Sequence, residues 1–97
     1  MYAVVRMYEM AEDWDDTLLR QLTEDFVPTI ERLAGFVSYH ALQAGDRLFC
    51  SVTMFENRVG AAESSRLAAE YVQRHLADRF PTSPEITSGE VVASRTA

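Results

Sequence analysis

Two runs with strand-like alternation, Phe36–Ala44 (FVSYHALQA) and Arg47–Glu56 (RLFCSVTMFE), are separated only by Gly45-Asp46. A two-residue link containing glycine folds the chain directly back on itself, so these runs are expected to pair as an antiparallel hairpin. The rest of the sequence is arranged about that hairpin. A strand pattern and a helix pattern precede it, and a helix pattern and a strand pattern follow.

Upstream, Tyr2–Met10 (YAVVRMYEM) is rich in β-branched and aromatic residues and has no turn former, which predicts a first strand. Its alternate residues form two rows: Ala3, Val5 and Met7 are apolar, whereas Tyr2, Val4, Arg6 and Tyr8 mix aromatic and charged groups. The cluster Glu12, Asp13, Asp15 and Asp16 opens a helix, where carboxylates meet the partly positive N-terminus. Trp14, Leu18, Leu22, Phe26 and Ile30 recur every four residues, with Leu33 following, so one stripe of this helix is buried. Pro28 lacks an N–H and its ring meets the carbonyl of Glu24, which predicts a kink. Gly35 suits the left-handed position that ends a helix.

Downstream, the Asn57 side chain caps a second helix. Its buried stripe is expected to run through Ala61, Ser65, Ala68, Ala69, Val72, Leu76 and Phe80, and Pro81 and Pro84 stop it. Glu85–Ser94 (EITSGEVVAS) reads as the fourth strand, with Gly89 marking a bulge or a close backbone contact. Two right-handed β-α-β halves joined by a hairpin give one four-stranded antiparallel sheet, order 4-1-3-2, with both helices on one face. That is an α+β, ferredoxin-like βαββαβ fold, and the 97 residues suffice for this single domain, 1–97. Each strand carries apolar residues on both faces. The sheet face without helices therefore predicts a homodimer closed sheet to sheet, against a monomer whose bare face is merely aromatic and polar.

The formal net charge of −6, with nine Arg and no Lys scattered along the chain, argues against nucleic acid and against an anionic membrane surface. No apolar run reaches transmembrane length, and Met1 leads straight into a strand pattern rather than a signal peptide. The single Cys50 lies in an apolar run and reads as a buried, reduced thiol, so a cytoplasmic location is expected.

Motifs that announce chemistry are missing. The four glycines stand apart, and no paired Cys or His spacing suggests a metal site. No Gly-x-Ser-x-Gly elbow is present. No cofactor and no metal are therefore expected. His40 lies mid-strand on the row of Phe36, Ser38 and Leu42; it is either a general base in a pocket or, more commonly, a core-edge His bonded to a carbonyl. His75 flanks the stripe of the second helix one turn beyond Tyr71, where a half-exposed surface His is the default. Arg6, on a central strand, either holds an anionic ligand group or pairs with Glu90 on strand four, the structural pair being favoured. Trp14, Phe36, Tyr39, Phe55 and Tyr71 are core or interface residues first, yet together they can line an apolar cavity that takes a planar ligand.

The opening YAVVRMYE, the join GFVSYHALQAGDRLFCSVTMFEN and the tail PEITSGEVV together resemble the antibiotic-biosynthesis-monooxygenase-like group of dimeric α/β-barrel proteins, over nearly the whole chain. The resemblance implies a homodimer whose sheets form a barrel, with a pocket in each subunit between sheet and helices. It also implies oxidation of a small aromatic or polyketide-type compound by dioxygen without a cofactor. His40 or His75 would be the base, and Arg6, Tyr8 or Tyr39 would steady the anion. Haem-degrading relatives use an Asn on the first strand and a Trp and a His on the second helix. Here the strand has no Asn and the helix no Trp, with Ser64 or Ser65 near the expected place, and only His75 falls where the His would be. The alternative reading is a non-catalytic homodimer that binds a small apolar or aromatic ligand.

Overall fold

The computed structural model describes residues 1–97. Strand β1 (Tyr2–Glu9) leads into a helical run made of α1 (Asp16–Arg20), a π-helical turn (Gln21–Phe26) and α2 (Val27–Glu31). The hairpin of β2 (Phe36–Gly45) and β3 (Leu48–Phe55) follows, then α3 (Arg58–His75) and β4 (Glu85–Glu90). The sheet is antiparallel in the order β2-β3-β1-β4, which is the expected arrangement.

The helices cover the sheet face that carries the more polar row of β1. Val4, Arg6 and Tyr8 are buried beneath them, with Phe49, Ser51, Thr53 and Phe55 of β3 alongside. One core cluster joins Tyr8 and Phe49 to Leu18, Leu22, Leu76 and Phe80, and another joins Phe26 and Ile30 to Ala68. The apolar row of β1 faces the other way, and Met7 is 38% exposed.

Some local expectations hold and others are corrected. The hairpin turn falls on Asp46 and Arg47, because Gly45 still pairs with Leu48 past an irregularity at Ala44. Gly35 alone has a positive φ, +82°, and it supplies the left-handed step out of α2. Pro28 sits in the first turn of α2, and the helix meets it by widening: the Val27 N–H donates to the Leu22 carbonyl five residues back. The Thr29 hydroxyl then donates to the Asp25 carbonyl at 3.1 Å. Helix α3 ends at His75, so Leu76 and Phe80 reach the core from the turns beyond it. Gly89 sits in regular pairing opposite Ala3, and a methyl group added there would meet nothing within 4 Å, so it is neither a bulge nor a close approach. Cys50 is half-buried on the helix-free face, because β3 alternates and its neighbours Phe49 and Ser51 point into the core. No helix is long and apolar enough to cross a membrane.

Candidate functional site

A cavity of about 420 Å3 opens beside α3, within the roughly 300–1,000 Å3 usual for small-molecule pockets. Arg6 and Tyr8 of β1 and Ile86 of β4 form its floor. Ser65, Ala69, Val72 and Gln73 on α3 make one wall, and the segment from Phe80 to Pro84 makes the other. That segment is held by Leu76 and Phe80 in the core and by Arg79, which ion-pairs with Asp15 at 3.1 Å and donates to the Asp13 carbonyl. Deeper in, a small cleft of about 20 Å3 is bounded by Leu22, Phe26, Tyr39, Phe49 and Tyr71. Arg6, Tyr8, Val72 and Phe80 border both spaces and divide them.

Arg6 is the unusual residue. It is 1% exposed, and its Nη2 donates to Ser64 Oγ and Ser65 Oγ, each at 2.9 Å. Its Nε–H has no acceptor. The expected pair with Glu90 does not form, because the strand register sets Arg6 opposite Ile86 and Glu90 opposite Tyr2, where it meets the Met1 amino group. Burial lowers the guanidinium pKa, opposed by the nearby tyrosines Tyr8 and Tyr39. Burial also raises the pKa of both phenols above the usual tyrosine value, with Arg6 pulling back on each. At neutral pH the two tyrosines are hydroxyl donors beside a cation.

The other residues singled out by sequence disperse. Tyr39 and Tyr71 line the inner cleft, where the Tyr71 hydroxyl lies 3.3 Å from Asp25 Oδ2. Trp14 packs edge-on against Phe49 and donates to the Leu48 carbonyl at 3.2 Å, as a core anchor. Phe36 stands edge-on to Phe55, which is fully buried; neither borders the cavity. His75 is exposed at the end of α3 with its ring against Tyr71, 4.8 Å between centroids. His40 is exposed on the helix-free face opposite Val52, because a register shift between Phe36 and Ser38 separates it from the row of Phe36. Ser64 and Gln73 were missed as site residues. The signal for Ser64 was a hydroxyl inside an otherwise small, apolar helix stripe, facing a strand that carries a charge.

No group of three or more His, Cys, Asp or Glu side chains is placed to hold a metal ion. The cavity instead combines one cation, hydroxyl donors and apolar walls, an arrangement that can bind a planar molecule by its ring and stabilise negative charge on its edge.

No protein-family model matches the chain, and no curated protein matches it in sequence. Solved structures do match. A protein of unknown function from Nitrosomonas europaea superposes with a TM-score of 0.76 at 18% identity, over 99% of this chain and 93% of that one. The monooxygenase from the gene ActVA-Orf6 of Streptomyces coelicolor, solved in complex with nanaomycin D, gives 0.75 at 11% identity over 99% and 91%. A dimeric ferredoxin-like protein from an uncultured marine organism gives 0.66 at 12% identity over 99% and 98%. At these identities the likeness establishes the fold alone: the chain has a ferredoxin-like fold, shared with these three proteins.

Proposed function

We propose that the chain is a cytoplasmic, homodimeric, cofactor-independent monooxygenase-like protein that takes a small aromatic or polyketide-type compound into the cavity over β1 and α3. The observation that carries this reading is the buried Arg6 guanidinium bordering an apolar cavity together with the Tyr8 hydroxyl. A phenol or enol seated there meets a positive charge where its own negative charge develops. Arg6 favours the ionised form against the cost of burying it, and the proton passes to water without a side-chain base. The delocalised anion then reduces dioxygen. A C–O bond forms at an activated methylene carbon, the O–O bond of the resulting peroxide breaks, one oxygen remains as a carbonyl and the other leaves as water with both methylene hydrogens. The Streptomyces coelicolor monooxygenase in complex with nanaomycin D supports a polycyclic ligand for this fold.

The dimer rests on the helix-free face, where Val5, Met7, Leu42, Cys50, Val52 and Met54 are half-buried or exposed in the single chain. Packing two such faces together removes this apolar surface from water.

An oxygen electrode tests the reaction. With anthrone, the protein is expected to consume one dioxygen per anthraquinone formed, well above the rate in buffer. Arg6→Met should lower kcat/KM at least tenfold. Uptake no faster than in buffer, across a panel of anthrones and naphthols, contradicts the oxygenase reading. It would favour the second reading, a non-catalytic homodimeric ligand-binding protein, which is motivated by both histidines lying away from the cavity.

A further inference from the structure

We infer that the compound bound in this cavity is an anion and that Arg6 selects it, the site taking a small aromatic molecule with a carboxylate or an ionised enol or phenol oxygen directed at the guanidinium. This rests on the cavity being a ligand site and adds the charge type of the ligand.

The chain carries 15 acidic residues for nine arginines, so carboxylate partners are plentiful. The exposed Arg47, Arg66 and Arg74 all have one, as does the partly exposed Arg79. Arg6, buried to 1% exposure, has only the neutral hydroxyls of Ser64 and Ser65. Ser64 also donates its own proton to the Ala61 carbonyl at 2.7 Å, which turns its lone pairs to the guanidinium and fixes the orientation of Arg6. Those contacts hold the cation in place without neutralising it. A buried charge left without a counterion is strongly unfavourable, and hydrogen bonds to neutral groups remove only part of the penalty.

Nothing inside the chain supplies the missing negative charge. No Asp or Glu lines the cavity, although the protein as a whole is acidic. The inner cleft has room for about one water, and a water there would leave the positive charge uncompensated. An anionic oxygen in the cavity supplies that charge. Val72, Phe80, Pro84 and Ile86 give the cavity apolar surface that accepts the ring carrying it, beside the polar Gln73, Thr82 and Ser83.

Isothermal titration calorimetry with 2-naphthoate and its neutral isostere 2-naphthamide tests the assignment. The wild-type protein should bind naphthoate at least tenfold more tightly than the amide, as a charge-assisted contact in a dry site requires. Arg6→Met should abolish that preference, and Arg6→Lys, which retains the charge, should keep it. Equal affinities in the wild type, or a preference that survives Arg6→Met, overturn the inference and leave the cavity reading standing. Binding of neither probe overturns both. The wild-type pair decides the matter even if Arg6→Met does not fold.

Discussion

At the residue scale, Arg6, Tyr8 and Tyr39 form one electrostatic unit under α3. Each phenol resists ionisation because burial disfavours the phenolate more strongly than Arg6 favours it. The consequence for stability has a definite sign. Unfolded tyrosines begin to ionise near pH 10, while the folded pair keep their protons, so the unfolded chain binds fewer protons than the native one. Stability should be level up to about pH 10 and fall as pH rises further, and Tyr8→Phe or Tyr39→Phe should each flatten that decline. Denaturant midpoints measured from pH 8 to 11 check this, and an alkaline limb unchanged in both variants contradicts it. That Arg6 needed a partner was legible in the sequence; which partner was not. The choice between Glu90 and the two serines depends on the register of β4 against β1 and on which face α3 covers, both fixed only by tertiary packing. For His40, simple alternation failed because one irregular residue near Val37 moves everything after it to the opposite face.

Among the elements, β1 shows why face assignment is hard from hydrophobicity alone. Its purely apolar row, Ala3, Val5 and Met7, points away from the helices, and Arg6 and Tyr8 of its mixed row form the floor of the cavity. A strand whose inner face carries Arg and Tyr borders a cavity as well as the core. The stripe of α3 behaves alike: Ala69 repeats at core spacing yet stays exposed because it borders the cavity. Where α3 begins, Gly60 is required by contact rather than by backbone conformation. A methyl there would sit 2.6 Å from Phe55 Cδ1 and 3.0 Å from the Ala34 carbonyl oxygen. In an open helix Gly→Ala would gain about 1 kcal/mol. Here overpacking should dominate, and Gly60→Ala should be destabilised by roughly 1–3 kcal/mol. Urea unfolding measures it; an alanine variant as stable as the parent would show that Phe55 yields without cost.

For the whole molecule, the order of patterned segments was sufficient to read the architecture, because the short hairpin link and right-handed crossovers leave one simple way to interleave two β-α-β halves. The cavity was not readable in that way. Its walls come from three separate stretches of chain, and its depth depends on how the segment after α3 is tied down by Arg79 to Asp15. The molecule that results has two unfinished surfaces, an apolar sheet face and a cationic pocket on opposite sides of the sheet. We assign the first to a second copy of the chain and the second to an aromatic anion. A crystal structure of the protein grown with 2-naphthoate tests both at once. The expected result is sheet faces packed together about a two-fold axis and, in each subunit, a carboxylate within hydrogen-bond distance of Arg6 with its rings against Val72 and Ile86. Naphthoate bound away from Arg6, or sheet faces left open to solvent, would contradict it.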